Sequence, residues 1–122
     1  MIIGKRASTM IQNLVVWQEL EEERSALVER IEKEENLLAA PIGINPDPAD
    51  RAQQYTFKQQ RLAVLAQSRQ QLEQVETALR RVEEGVYGLC VDCGEQIDPA
   101  RLKALPYALL CVNCQEWREK MA

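Results

Sequence analysis

"CVDCGEQIDPARLKALPYALLCVNC", residues 90–114, contains every cysteine of this 122-residue chain. The cysteines form two CxxC pairs, separated by residues 94–110: Cys90 with Cys93, and Cys111 with Cys114. That separation lies within the roughly 15–20 residues typical of zinc sites built from two such pairs. Two thiolates spaced by two residues reach one metal from a single tight turn, and Gly94 permits the backbone conformation of that turn. The stretch therefore predicts one structural Zn²⁺ per chain, bound by four thiolates.

Two other uses of paired cysteines compete with zinc. A disulfide framework conflicts with a chain that shows no secretory signal, and a redox CxxC does not need a second, matched pair. Four thiolates fill the tetrahedral shell of zinc and leave no position for a catalytic water. The chain also has no histidine, which excludes Ser-His and Cys-His catalytic arrangements. We therefore predict that the protein is not an enzyme.

The chain upstream of the cysteines has the composition and periodicity of two long helices. Residues 8–39 contain no proline or glycine, residues 40–47 contain two prolines and Gly43, and after Pro48 residues 49–84 again contain neither. In both long segments, most positions spaced at alternating three- and four-residue steps are apolar. The first seam comprises Met10, Trp17, Leu20, Leu27, Ile31 and Leu38, with Asn13, Arg24 and Glu34 interrupting it, and the second comprises Leu65, Ser68, Leu72, Val75, Leu79 and Val82.

Two such helices joined by a short turn are expected to pack antiparallel. We predict a mainly α fold: a long antiparallel coiled-coil hairpin followed by a small four-cysteine zinc finger and a short C-terminal helix. The predicted domains are a helical hairpin over residues 1–84, with its tip at about 40–52, and a zinc finger over residues 85–122. Trp117 is expected to anchor the C-terminal helix in the core. The heptads alone also fit a helical bundle or a dimer in which these stripes are core.

Charge and hydropathy restrict the partners. The formal net charge is −4 and the pI is near 5.0, so no global basic field exists to neutralise phosphates. Arg101 and Lys103 are the only cations between the two CxxC pairs, and they read as solvated surface. No apolar run approaches the roughly 20 residues that span a bilayer, and the first 20 residues do not resemble a signal peptide. We expect a cytoplasmic, unprocessed protein without membrane contact.

The sequence "INPDPADRA", residues 44–52, places two aspartates at the start of the second helix. Asp47 at the N-cap, Pro48 at the first helical position and Asp50 at the third make an almost complete helix-start signal. Capping alone would explain both acids. The alternative is that the turn presents carboxylates at the far end of a long arm, where they reach into a partner.

The two long helices, "DPADRA" at the turn between them, and "YGLCVDCGEQIDPARLKALPYALLCVNC" after the second resemble the DksA/TraR family of bacterial transcription regulators. The resemblance covers Asp47 to about Gln115. It implies a hairpin that projects from a zinc-bearing part and enters the secondary channel of bacterial RNA polymerase, without base-specific DNA contact. The family's tip residues match Asp47, Asp50 and Ala52. We assign Asp47 mainly to the cap and Asp50 mainly to the functional carboxylate.

The chain departs from the family where DksA uses basic residues to bind the alarmone guanosine tetraphosphate. The matching positions hold Gln74, Leu105 and Gln115, which cannot make charge-assisted bonds to an anion. We therefore expect weak alarmone binding or none. Three other functions remain open on the sequence alone: a coiled-coil adapter for another protein, a nucleic-acid-binding zinc ribbon, and a thiol redox sensor.

Overall fold

A computed structural model describes residues 2–40, 43 and 46–122 of the chain, with side chains described from Asn13 onward. Its described residues form four helices and no strand, and one isolated antiparallel bridge joins Leu89 to Gln96. The helices are α1 (Ile2–Ala39), α2 (Pro48–Glu83), α3 (Pro99–Ala104) and α4 (Val112–Met121). The predicted fold class, a mainly α chain with two long helices followed by a four-cysteine finger and a short C-terminal helix, is confirmed. Part of the predicted tip, residues 41, 42, 44 and 45, lies outside the described residues.

The ends of α2 follow from its sequence. Asp47 supplies the first backbone acceptor, since its carbonyl accepts the Arg51 N–H at 3.0 Å. At the other end Gly85 has φ +75° and its N–H bonds the Val82 carbonyl at 3.2 Å. The Val86 N–H bonds the Arg81 carbonyl at 3.0 Å, which completes a Schellman motif. Only glycine adopts that left-handed conformation without strain, so Gly85 stops the helix and turns the chain toward the cysteines.

The chain divides into two compact units. The first comprises Met1–Arg24 and Glu73–Ala122, and the second comprises Ser25–Leu72. Each unit therefore contains a part of both long helices. The domain boundary that the sequence suggests between residues 84 and 85 stays a prediction.

The second unit is a pair of helical segments joined by the turn. Because the chain reverses between Ala39 and Pro48, α1 and α2 run antiparallel here. Four seam residues are buried in it: Leu27, Ile31, Leu65 and Ser68. Two exposed ion pairs cross between the helices, Glu34 with Arg61 at 3.2 Å and Glu35 with Arg69 at 2.6 Å. Exposed pairs of this kind contribute about 0–1 kcal/mol each, so the buried side chains stabilise the pairing.

Burial in the second unit is confined to one end. None of the described residues between Ile31 and Leu65 is buried, and every residue from Pro46 to Val64 is exposed. Tyr55 and Phe57 are among them, with exposed fractions of 66% and 55%. The part of the hairpin near the turn is therefore held by helix propensity and ion pairs, without a core of its own.

In the first unit the two long helices pack through Leu20, Val75, Ala78 and Leu79, all of which are buried. The finger has a separate small core of Cys90, Ile97 and Leu110, with Leu102, Cys111 and Cys114 packed against it. Within the segment after α2, the Tyr87 hydroxyl donates to the Pro106 carbonyl at 2.8 Å.

Most of the predicted seam is confirmed. The predicted seam residues that are buried are Leu20, Leu27, Ile31, Leu65, Ser68, Val75 and Leu79, and the partly buried ones are Trp17, Leu38, Leu72 and Val82. The side chain of Met10 lies outside the described side chains. Within the described residues, no helix combines the length and the apolar character needed to cross a membrane.

The prediction for Trp117 is wrong. Its side chain is 62% exposed, and no residue of α4 is buried. The helix also begins before Cys114, at Val112, and has 10 residues. It is held at its start by the cysteines and along its side by an ion pair, in which the Arg118 guanidinium donates to both carboxylate oxygens of Asp92 at 2.7 and 2.5 Å. An apolar anchor is therefore not what fixes α4.

Candidate metal centre and helix-start carboxylates

The first CxxC pair lies in a tight turn that the backbone closes on itself. The Gly94 N–H bonds the Cys90 carbonyl at 3.0 Å, and the Cys90 N–H bonds the Glu95 carbonyl at 2.8 Å. Gly94 has φ +75°, a left-handed conformation that the glycine after Cys93 was expected to permit. The turn brings Cys90 and Cys93 to the same side of the chain, with Cys90 buried and Cys93 exposed.

The second pair starts helix α4. Cys111 is the N-cap residue, and its Sγ accepts the backbone N–H of Cys114 at 3.4 Å. The Gln115 N–H bonds the Cys111 carbonyl at 2.9 Å, as in a regular first helical turn. The helix start thus places the Cys111 sulfur against a backbone N–H group, which favours negatively charged sulfur.

The two pairs converge on one point. The four Sγ atoms of Cys90, Cys93, Cys111 and Cys114 all lie within 4.8 Å of one another, and the Sγ atoms of Cys93 and Cys111 are 3.8 Å apart. A tetrahedron with Zn–S bonds of about 2.3 Å has edges of about 3.8 Å. The donor set and its spacing therefore fit one zinc ion. When bound, zinc supplies a cross-link between the two CxxC turns, and four sulfurs leave it no open position.

The thiols of the cluster differ in acidity. Burial raises the pKa of the Cys90 thiol, but backbone N–H groups of Cys111, Cys93 and Asp92 outweigh it and lower that pKa to about 6. The Cys111 and Cys90 sulfurs raise the pKa of Cys114 well above its ordinary value. Metal binding needs all four thiolates, so it must displace protons from this cluster and is expected to weaken as pH falls.

Two arginines near the cluster had no signal in the sequence beyond their charge. Arg118 reaches back from α4 to Asp92, which lies inside the first CxxC pair. Arg101 donates from its Nε to the Leu110 carbonyl, the residue before Cys111, at 3.2 Å. The prediction that Arg101 is only solvated surface is therefore incomplete, because its guanidinium supports the second pair.

Asp47 and Asp50 lie in the second unit, at the start of α2. The Asp47 Oδ1 accepts the Ala49 N–H at 3.0 Å, which confirms Asp47 as the N-cap. The same geometry occurs in the finger, where the Asp98 Oδ1 accepts the Ala100 N–H at 3.0 Å. Both helices begin Asp-Pro-Ala, and the fourth residue is Asp50 in one and Arg101 in the other.

Asp50 is exposed, and none of the described residues bonds or pairs with its carboxylate. Ala52 is exposed two residues further along, and its carbonyl accepts the Thr56 hydroxyl at 3.1 Å. The cap at Asp98 shows that an Asp-Pro-Ala start does not require a second acid at the fourth position. Capping therefore explains Asp47 and leaves Asp50 without a structural role among the described contacts.

The three neutral residues at the family's basic positions line one cavity. Gln74, Leu105 and Gln115 border a space of about 180 Å³ in the first unit. Arg101 and Arg118 also line it, and each already donates to a partner within the protein. The Gln115 amide donates to the Glu119 carboxylate at 3.1 Å, which adds a negative charge nearby. The three neutral side chains thus offer an anion no charge, and both arginines of the lining are held by partners within the protein.

Comparison with known proteins agrees with this site. Residues 85–120, which include all four cysteines, match the family described as the prokaryotic dksA/traR C4-type zinc finger. The RNA polymerase-binding transcription factor DksA of Caulobacter vibrioides is 36% identical over 111 residues, which cover 89% of this chain and 72% of the relative. The protein of that name from Escherichia coli is 38% identical over 78 residues, 62% of this chain and 52% of the relative.

The fold has a solved counterpart as well. The structure of transcription factor DksA2 from Pseudomonas aeruginosa aligns with a TM-score of 0.73 and 32% identity, covering 91% of this chain and 85% of the other. The similarity thus extends over the helices as well as the finger, and the chain carries a C4-type zinc site. On this sequence similarity and shared structure, the chain belongs to the DksA/TraR family of proteins with a four-cysteine zinc finger.

Proposed function

We propose that this chain binds bacterial RNA polymerase directly and modulates transcription initiation, with the turn between α1 and α2 entering the secondary channel. The names of its relatives support the partner, since they are RNA polymerase-binding transcription factors. The observation that carries the proposal for the tip is Asp50, an exposed carboxylate at the start of α2 that none of the described residues engages. In this role Asp47 fixes the backbone, Asp50 acts at the polymerase active centre and Ala52 completes the tip.

The remaining properties follow from the donor set and the charge. Zinc with four thiolate ligands is structural and has no open position for catalysis, which supports a regulator and not an enzyme. We propose that it acts in the cytoplasm, where bacterial RNA polymerase is found. Four thiolates and one Zn²⁺ lower the formal charge of an already acidic chain by two, which disfavours DNA as a direct partner. Regulation is therefore proposed to work through protein contact, without sequence-specific DNA binding and without a membrane.

We also propose that the alarmone binds weakly or not at all between this protein and the polymerase. The cavity has the neutral side chains of Gln74, Leu105 and Gln115 at these positions, and the Arg101 and Arg118 guanidiniums that also line it already donate to partners within the protein. Each missing charge-assisted hydrogen bond costs roughly 1.5–3 kcal/mol, so the loss of two or three weakens binding by about a hundredfold or more. Equilibrium titration of the complex with guanosine tetraphosphate tests this, and micromolar binding that depends on this chain would refute it.

The experiment for the main proposal uses purified polymerase and three forms of the protein. Wild type, Asp50→Asn and Glu32→Gln are compared by co-elution on gel filtration and by transcription from purified templates. Glu32 is an exposed acid on α1 and serves as the matched control, because its substitution also removes one charge. We expect all three to co-elute, and Asp50→Asn alone to lose the effect on transcription.

Different outcomes exclude different parts of the proposal. No co-elution of the wild type would exclude the polymerase as a direct partner and favour an adapter for another protein. Co-elution with normal regulation by Asp50→Asn at saturating concentration would retain the partner and exclude the role of this carboxylate. A salt-dependent mobility shift of random duplex DNA would revive the nucleic-acid-binding zinc ribbon.

A further inference from the structure

The side chain of Arg81 connects helix α2 to the approach to the zinc site. Arg81 lies in the last turn of α2, and its Nη2 donates to the Val86 carbonyl at 3.3 Å and to the Leu89 carbonyl at 3.0 Å. Its own main-chain carbonyl accepts the Val86 N–H at 3.0 Å. Arg81 is thus bonded to the loop after α2 through both its side chain and its backbone.

The Leu89 carbonyl is the one that precedes the first zinc ligand. It belongs to the peptide plane between Leu89 and Cys90, and the N–H of that plane bonds the Glu95 carbonyl at 2.8 Å. The orientation of this plane sets the direction from which the Cys90 side chain leaves the backbone. Arg81 therefore fixes one end of the plane, and the CxxC turn fixes the other.

The second CxxC pair has the same arrangement. The Arg101 Nε donates at 3.2 Å to the carbonyl of Leu110, the residue before Cys111. Each pair thus has an arginine on the carbonyl that precedes its first cysteine. The two differ in origin, because Arg101 comes from α3 inside the finger, whereas Arg81 comes from α2.

We propose that Arg81 is a positioning residue for zinc that couples metal binding to the C-terminal end of helix α2. Groups that hold metal ligands in place from outside the coordination shell typically change metal affinity by about 10–100-fold when they are removed. With zinc bound, Cys90 is held and the Leu89 carbonyl stays in reach of Arg81. Without zinc the turn is free to reorient, and the guanidinium loses a bond that helps to fix the last turn of α2.

Such coupling is reciprocal. If the Arg81 contacts raise zinc affinity by some factor, zinc stabilises those contacts by the same factor. The end of α2 is where the chain passes from the helices to the finger. Zinc binding therefore changes the stability of the last turn of α2 through the Arg81 side chain. The coupling is a property of the protein alone and does not depend on the proposed polymerase partner.

The test compares two neighbouring arginines in the full-length zinc protein. Arg81→Gln removes the donor, and Arg80→Gln is the matched control with the same charge change. The Arg80 side chain donates to the Thr77 hydroxyl of its own helix at 3.2 Å and, among the described residues, has no bond to the loop. Zinc affinity is measured by competition with a chromophoric chelator. We expect about a tenfold loss for Arg81→Gln and less than about a twofold change for Arg80→Gln.

The second readout separates coupling from a merely structural role. Amide hydrogen exchange is followed at Glu84, Gly85 and Val86, whose N–H groups close the end of α2. In wild type and in Arg80→Gln, chelation of zinc should speed their exchange by about tenfold more than it does in Arg81→Gln. If Arg81 only stabilised the fold, its substitution would instead speed the exchange of these amides by the same factor with and without zinc.

A more conservative variant keeps the test possible if Arg81→Gln does not fold. Arg81→Lys keeps the charge but replaces the planar guanidinium by a compact ammonium group that reaches less far. The zinc affinity of this variant should therefore be about threefold lower than that of wild type. Zinc affinity equal to that of Arg80→Gln in the folded Arg81 variants would overturn the proposal. So would a response of the three amides to chelation that is the same in wild type and in an Arg81 variant.

Discussion

Replacing Asp47 separates the capping role of the helix-start acids from their role in regulation. The Asp47 carboxylate accepts the Ala49 N–H at 3.0 Å, and alanine cannot replace this bond. Loss of an N-cap costs about 1 kcal/mol. With a urea slope of about 1–3 kcal/mol per molar, the unfolding midpoint of Asp47→Ala should fall by about 0.3–1 M. Helix loss monitored by circular dichroism across a urea series measures it.

Two further substitutions divide the effect into cap and charge. Asp47→Ser restores an acceptor for the Ala49 N–H but not the negative charge, so the midpoint should return to within about 0.2 M of wild type. Asp50→Asn removes a charge that no described residue contacts, and its stability should stay within about 0.5 kcal/mol. Regulation of purified polymerase should be partly lost in Asp47→Ala and abolished in Asp50→Asn.

The stability and regulation measurements together decide between the two roles. Asp98→Ala provides the comparison for stability, since it loses the same bond at the start of α3. If activity followed stability alone, Asp47→Ala would regulate less well than Asp50→Asn. An Asp47→Ala protein with an unchanged urea midpoint would refute the capping assignment, whatever its activity.

Three other perturbations test the core and the finger. Cys114→Ser should release zinc and unfold the finger while most of the helical signal remains, as followed by elemental analysis and circular dichroism; zinc retained at one ion per chain would contradict the four-cysteine site. Burial and, to a smaller extent, the Glu19 carboxylate raise the pKa of Tyr87 from 10.0 to about 12, so stability that depends on its protonated hydroxyl is full below pH 10 and lost as pH rises toward 12. Ultraviolet titration should show a late tyrosine ionisation step near pH 12, and Tyr87→Phe should remove it. Leu27→Ala should lower the free energy of unfolding by about 2–5 kcal/mol, because Leu27 is 1% exposed. Leu14→Ala should lower it by less than about 0.5 kcal/mol, because Leu14 is 67% exposed. Equal urea midpoints for the two variants would show that Leu27 is not part of the packed seam.

The sequence predicts well what depends on spacing along the chain. Heptad steps identify Leu20, Leu27, Leu65 and Val75 as buried, because an antiparallel partner helix covers the same face at each step. The two CxxC pairs identify the metal site for a similar reason, since their spacing matches the reach of thiolates around one ion. Both patterns are local and do not need the rest of the fold.

What the sequence does not predict depends on how separate segments meet. Trp117 has the size and apolarity of a core residue, but α4 is held by cysteine ligands and by the Arg118–Asp92 pair, so its tryptophan faces solvent. Ile97 is fully buried although it lies in a polar stretch, because backbone bonds fold that stretch over the finger core. The contacts of Arg81 could not be predicted from the sequence, because its acceptors are backbone carbonyls that any residue type provides.

The exposed stretch on either side of the α1–α2 turn has a consequence for sequence change. Between Ile31 and Leu65 no described side chain is buried, so substitutions there leave no cavity and strand no polar group. Surface substitutions of this kind usually alter stability by less than about 0.5 kcal/mol, provided that they keep helix propensity and the cap. This stretch can therefore accept sequence change: its exposed side chains, including Tyr55 and Phe57, can be replaced while the seam and the zinc site keep the scaffold folded.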